Sequence, residues 1–365
     1  MKLKKFFAGV VAAAMMLTMG ATAAFAAKGD TTQIKDGKII IAKEYTITNK
    51  GTTNPTETFY LKQTAKSGTK MSTIYGGEAP DLEFIEVNGS KDDKYVASVT
   101  FNATKAENDN QKLTGNFEIG LKTYSGVGIF TYELQEVKTN NAGVEYDGRT
   151  LVVTVYATQG TSGIETQVTI HDKAGADAGE KVGTVTNTYN AGNLYIHKDV
   201  TGNMGDKNKV FKFTVTLTGE SGKTYEESYA ISGGVDMSET EKSATSIAVD
   251  SSATIYLTDN TTVEIANLPY GVKYTVAEAD YTGAGDTDGY TTKYGIDAAA
   301  STTGLTTTGD LSVSKASTTV NFENNKGGEI DTGVILDNAP YIALLAIVAF
   351  GGVALILNKR RRDEE

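Results

Sequence analysis

The sequence predicts an all-β protein made of two tandem β-sandwich domains. Three observations carry this: runs of apolar and polar residues alternating with period two, turn clusters of Gly, Asn and Asp between them, and no helix-period segment in the body of the chain. The composition agrees, because 39 Gly, 19 Tyr and only 4 Pro among 365 residues suit many strands joined by tight turns. In chain order the first domain's strands are expected at 38–48, 95–102, 128–137, 150–157, 163–171 and 185–189. After a short polar joint at Asn190-Ala191-Gly192 they resume at 193–200, 210–218, 223–231, 254–257, 271–278 and 318–324. Asp36-Gly37, Asp147-Gly148, Gly202-Asn203 and Asp288-Gly289 supply turns between strands. The domains are therefore expected at 27–190 and 191–328, stacked end to end.

The two ends read as addresses. Lys2, Lys4 and Lys5 precede an apolar run over 6–19, and Ala24-Phe25-Ala26 gives a small-x-small cleavage pattern, so 1–26 is expected to be an export signal peptide. At the other end 339–357 is apolar throughout, near the roughly 20 residues that span a bilayer. Lys359-Arg360-Arg361-Arg362 follows, a cluster that holds a tail on the cytoplasmic side. Without these ends, residues 27–332 carry 27 basic and 41 acidic groups, a net of −14. Such a surface is soluble and self-repelling, and it excludes nucleic acid as a partner. The absence of Cys removes disulfides and thiol nucleophiles. Only His171 and His197 are present, which leaves no basis for a zinc site or a His-based triad. No metal or cofactor is expected.

Just before the apolar span sits Glu329-Ile330-Asp331-Thr332-Gly333. A pentapeptide ending in Thr-Gly, an apolar helix and a basic tail together resemble the cell-wall sorting signal of sortase-anchored proteins of Gram-positive bacteria. The usual pattern is Leu-Pro-x-Thr-Gly, and this chain departs from it at two positions ahead of the kept Thr-Gly. The resemblance places a sorting signal at 329–365 and implies sortase cleavage between Thr332 and Gly333. Thr332 then becomes an acyl donor to an amine. A plain single-pass membrane protein is the bland alternative.

The two halves repeat one arrangement. Each opens on an apolar strand with one Lys (Lys43, Lys198), continues to an aromatic strand ending in Glu (Glu136, Glu278), and closes on a strand with one Asn (Asn187, Asn324). The Lys-to-Glu separations are 93 and 80 residues, and the Glu-to-Asn separations 51 and 46. Alternate strand residues share a face. Lys43 therefore lies with Ile39, Ile41, Tyr45 and Ile47, Glu136 with Phe130, Tyr132 and Leu134, and Asn187 with Val185 and Tyr189. Lys198 lies with Leu194, Ile196 and Val200, Glu278 with Val272, Tyr274 and Val276, and Asn324 with Val320 and Phe322. Each set is an apolar face with one polar group.

A dry core drives an amine and a carboxyl toward their neutral forms. A neutral amine is a nucleophile, and a protonated carboxyl can polarise a carbonyl. Beside an Asn carboxamide these groups have the parts for amide transfer, in which Lys attacks, Glu shuttles protons and ammonia leaves. A Lys–Asn isopeptide bond would remain, with apolar neighbours keeping water out. A non-covalent Lys–Glu core pair is the alternative, and it would stabilise poorly because desolvation can exceed the Coulomb gain.

These motifs resemble the major (backbone) pilins of Gram-positive bacteria, most specifically over 193–333. The stretch Lys198-Asp199-Val200-Thr201-Gly202-Asn203, the strand Tyr274-Thr275-Val276-Ala277-Glu278 and the closing Phe322-Glu323-Asn324-Asn325 look like the three signatures of the streptococcal-type pilin isopeptide-linkage domain. The resemblance implies immunoglobulin-like (CnaB-type) sandwiches and crosslinks Lys43–Asn187 and Lys198–Asn324, assisted by Glu136 and Glu278. It also implies a structural subunit whose only catalysis is single-turnover self-crosslinking. The partners it implies are a sortase, other copies of the chain, peptidoglycan and minor pilins, at the cell-wall surface. The intersubunit lysine implied late in the first domain is Lys181, with Lys173 as alternative. A monomeric wall-anchored adhesin or binding module fits the same anchor and domains and is the competing function.

Overall fold

The computed structural model of the chain describes residues 34–69, 79–174, 177–283, 289–311, 315–328 and 344–345. The export signal at 1–26 and the sorting pentapeptide with Thr332 and Gly333 lie outside the described residues. So does all but two residues of the span at 339–357. Among the described residues no helix is long and apolar enough to cross a membrane.

The described residues form 22 strands in four sheets. The first eleven are β1 (Ile34–Lys35), β2 (Lys38–Ile47), β3 (Glu57–Thr69), β4 (Tyr95–Phe101), β5 (Gln111–Gly120), β6 (Gly128–Glu136), β7 (Val144–Glu145), β8 (Thr150–Gln159), β9 (Ile164–Ala174), β10 (Asp177–Lys181) and β11 (Thr184–Tyr189). They make a sheet in the order β1-β2-β11-β7, with β5 on the other side of β2, and a second in the order β10-β9-β8-β6-β3-β4. One apolar core containing Ile41, Tyr45, Phe59, Phe117, Tyr132 and Val153 joins the two sheets.

The second eleven are β12 (Ala191–Thr201), β13 (Phe211–Thr218), β14 (Tyr229–Gly233), β15 (Ser246–Ile247), β16 (Ser252–Leu257), β17 (Thr261–Pro269), β18 (Lys273–Glu278), β19 (Thr291–Ile296), β20 (Thr302–Thr303), β21 (Thr306–Asp310) and β22 (Ser317–Asn325). Their sheets run β15-β14-β17-β12-β22-β19-β20 and β16-β13-β18-β21. A separate core of residues such as Leu194, Phe213, Val276 and Phe322 fills the space between them. The chain is thus two tandem β-sandwiches.

Alternation builds the strands that carry the site. In β2 the side chains from Ile39 to Ile47 bury every second residue, and β12 does the same from Leu194 to Val200. The Asp36-Gly37 turn joins β1 to β2 with φ of +51° and +76°, the left-handed pair that a two-residue hairpin needs and that Asp and Gly tolerate. The strand expected at 223–231 is corrected. Residues 223–228 form no strand, and β14 begins only at Tyr229. The run Lys223-Thr224-Tyr225-Glu226-Glu227-Ser228 carries too little apolar surface to hold a sheet face, and Thr224 instead makes one isolated bridge to Asn141.

Hydrogen bonds join the two sandwiches. The Asn267 side chain accepts from the Thr53 N–H at 2.8 Å and donates to the Thr53 carbonyl at 2.9 Å. Asn49 donates to the Ala191 carbonyl at 2.7 Å and also bonds the Tyr270 hydroxyl. The Ala142 N–H donates to the Thr224 carbonyl, and the Thr224 N–H donates to the Asn140 carbonyl.

Candidate functional site

In each sandwich the first and last long strands lie side by side and run in the same direction. β11 pairs with β2 so that Val185 stands opposite Lys43 and Asn187 opposite Tyr45. β22 pairs with β12 so that Phe322 stands opposite Lys198 and Asn324 opposite Val200. In both, the Asn sits two residues beyond its Lys in register. An offset of two keeps both side chains on one face, and a long side chain reaches such a diagonal neighbour. The acid comes from the facing sheet, Glu136 ending β6 and Glu278 ending β18. All six predicted residues are buried, with Lys43 and Lys198 only 1% and 0% exposed.

Lys43 Nζ donates to Glu136 Oε1 at 2.7 Å. The Asp147 N–H donates to both Glu136 Oε2 at 2.9 Å and Asn187 Oδ1 at 3.0 Å. Asn187 lies close enough to Glu136 to favour its carboxylate, yet Asn187 Nδ2 makes no well-formed hydrogen bond. In the second sandwich Lys198 Nζ is 3.4 Å from Glu278 Oε1 and donates to the Asp199 carbonyl at 3.1 Å. Asn324 Nδ2 donates to Glu278 Oε1 at 3.0 Å, while Asn324 Oδ1 and Glu278 Oε2 have no partner. Thr292, opposite Asn324 on β19, leans toward Glu278 with an otherwise unpaired hydroxyl.

Burial dominates the electrostatics. It pulls both Lys43 and Lys198 down to about 8 from 10.5, against the attraction of Glu136 and Glu278. It also pushes both carboxyls up, against the opposing pull of the same lysines. The proton is therefore held less firmly on nitrogen, and the neutral amine beside a neutral acid comes within reach. Two residues that the sequence reading did not single out complete this environment. Lys43 Nζ lies 4.4 Å from the Phe59 ring centroid and Lys198 Nζ 4.5 Å from that of Phe211, each ring coming from the facing sheet. These rings shut out water. Phe211 lay within a predicted strand, whereas β3, which carries Phe59, gave no alternation over its exposed second half.

The candidate intersubunit lysines lie elsewhere. Lys181 is exposed at the end of the edge strand β10, and Lys173 on β9 forms an exposed ion pair with Glu133 at 2.8 Å. His197 Nδ1 hydrogen-bonds Thr262 Oγ1 at 2.8 Å, away from Lys198. Among the described residues no group of three or more His, Asp or Glu side chains is placed to hold a metal ion.

Fold and site define a class: a two-sandwich β-protein with one buried amine, acid and carboxamide set per sandwich. Comparison with known proteins narrows it. A family described as "Domain of unknown function (DUF7601)" matches residues 192–326. A curated pilin of Streptococcus pyogenes serotype M1 is 27% identical over 360 residues, covering 95% of this chain and 98% of the pilin. The crystal structure of the major pilin from Streptococcus pyogenes is 22% identical, covering 81% of this chain and all of that one, with a TM-score of 0.48. The T-13 major pilin structure from the same species is 21% identical, covering 80% of this chain and all of that one, with a TM-score of 0.43. The chain is thus similar to a streptococcal pilin along nearly its whole length.

Proposed function

We propose that this chain is the structural backbone subunit of a covalently polymerised surface pilus, each of its domains closed by a self-formed Lys–Asn bond. The kinship to a pilin over nearly the whole length of both chains is the observation that carries the subunit role. The domains are taken as 27–190 and 191–328. The crosslinks are Lys43–Asn187 and Lys198–Asn324, with Glu136 and Glu278 as the proton-shuttling acids. Support for them comes from burial, from the shared register offset and from pKa shifts that favour the neutral amine and neutral acid. Amide transfer runs once per site, so no turnover follows.

In this reading residues 1–26 export the chain, and 339–357 hold it in the membrane while a sortase cleaves between Thr332 and Gly333. The acyl group of Thr332 passes to Lys181 of the next subunit, with Lys173 as the alternative acceptor. Peptidoglycan and minor pilins are the remaining partners. Two measurements test the proposal. The intact mature protein should weigh less than its sequence by two ammonia molecules, and an unchanged mass would end the crosslinking reading. Anti-protein immunoblots of wall extracts should give a high-mass ladder, whereas a single band would favour the monomeric adhesin.

A further inference from the structure

The two sites differ in how they hold the carboxamide, and the difference lies in a turn beside the first one. Between β7 and β8, the Asp147 N–H points at both Asn187 Oδ1 and Glu136 Oε2. Its position is locked from its own side chain. Asp147 Oδ1 accepts from the Arg149 N–H at 3.0 Å and from Arg149 Nε at 2.9 Å, and Asp147 Oδ2 accepts from the Thr186 N–H at 3.2 Å. Arg149 Nη2 in turn donates to the Thr184 carbonyl at 2.9 Å. The turn is thus bolted to β11 on both sides of Val185, immediately ahead of Asn187. Among the described residues no donor reaches the matching oxygen of Asn324 in the second site.

We propose that the Asp147 main-chain N–H is the oxyanion donor of the first crosslinking site, held in place by an Asp147–Arg149 latch on β11. The inference rests on the crosslinking reading above. In the reaction, Lys43 Nζ bonds to Asn187 Cγ as the carbonyl π pair moves onto Oδ1. That pair then returns, the Cγ–Nδ2 bond breaks, and Nδ2 leaves as ammonia with the proton that Nζ gives up through Glu136. Negative charge on Oδ1 draws the shared N–H from Glu136 Oε2 fully onto Oδ1. A preorganised N–H at 3.0 Å from the oxygen that gains charge is the geometry of an oxyanion donor. Arg149 touches no reacting atom and acts as a positioning residue.

The test uses the full mature chain, isolated promptly after synthesis and followed over time by intact mass and by mapping of the Lys43–Asn187 peptide. Asp147→Ala loses the latch and keeps the N–H, whereas Asp147→Pro loses both. Asp147→Pro is expected to slow the first bond on the order of a hundredfold, the usual cost of removing one such donor. Asp147→Ala and Arg149→Ala should slow it less, with near-UV circular dichroism unchanged. The Lys198–Asn324 bond should be complete in every variant and serves as the internal control. Equal rates in Asp147→Pro and Asp147→Ala would overturn the donor role. If the Pro variant does not fold, first-bond rates in Asp147→Ala and Arg149→Ala equal to those of the unaltered chain would overturn the latch, and with it the proposal of a donor held in place by it. An unaltered chain with no Lys43–Asn187 bond at all would sink the crosslinking reading itself, a result distinct from the others.

Discussion

A lysine amine without water around it is a poor cation, and burial puts Lys43 and Lys198 in that position while their carboxylate partners are pushed the other way. The reactive arrangement, neutral amine with protonated acid, carries the same number of protons as the ion pair. Bond formation should therefore depend on pH as a bell. Below the raised range of the carboxyl both groups are protonated and the amine cannot attack. Above about 8 the pair loses its last proton and the acid is gone. Refolding assays on a slow variant should show the rate falling as pH climbs past that point, and a rate still rising there would contradict the shared-proton scheme. Glu136→Ala and Glu278→Ala should each retain one ammonia in the intact mass. Each should also melt lower, since closing a loop longer than 100 residues contributes about 5 kcal/mol by the entropy reasoning applied to disulfides. The six side chains were legible because parity alone assigns a face to each. Asp147 was not, because its contribution is a backbone N–H and its neighbour Gly148 marked the pair only as a turn.

Pairing the first strand with the last, in parallel, is what turns six scattered residues into two sites. Strand identity was readable where alternation was strong, as in β2, β6, β12 and β22. It failed for β3 and β5, and also for β17, β19 and β21. Strand β3 buries only its opening half, and β5 puts Gly115, which has no apolar side chain, at an inward position. Parallel register could not be read at all, because it follows from how the sheets close and leaves no mark on local sequence. The facing strands matter to the chemistry as much as the paired ones. Phe59 on β3 packs edge-on against Tyr45 and lies over the Lys43 amine. Phe59→Ala should cost roughly 3–5 kcal/mol of stability in a Glu136→Ala background, where no bond masks the loss. In the otherwise unaltered chain it should also leave a fraction of Lys43 unreacted, since water entering the cavity returns the amine to its cationic form. Complete crosslinking at the normal rate would show that the ring only fills space.

Across the whole molecule, the path of tension depends on where the neighbour is attached. If Lys181 is the acceptor, force enters at the end of β10 and passes along β11, which ends at Tyr189 and continues almost directly into β12 at Ala191. At Lys198 it crosses to Asn324 and leaves through Thr332. Most of the first sandwich then hangs outside the loaded path, tethered by Lys43–Asn187, while Lys198–Asn324 bears the pull. The bonds of Asn267 and Asn49 across the joint keep the idle sandwich seated on the loaded one. Single-molecule pulling of the mature chain between a handle at Lys181→Cys and the carboxyl end tests this assignment. The intact chain should barely extend. Adding Glu278→Ala should let the segment between Lys198 and Asn324 unravel, lengthening the molecule by roughly 400 Å at about 3.5 Å per extended residue. Adding Glu136→Ala instead should change the trace little, because that bond lies off the path. An equal extension from both variants would mean that tension runs through both sandwiches in series and would move the acceptor lysine toward the start of the chain.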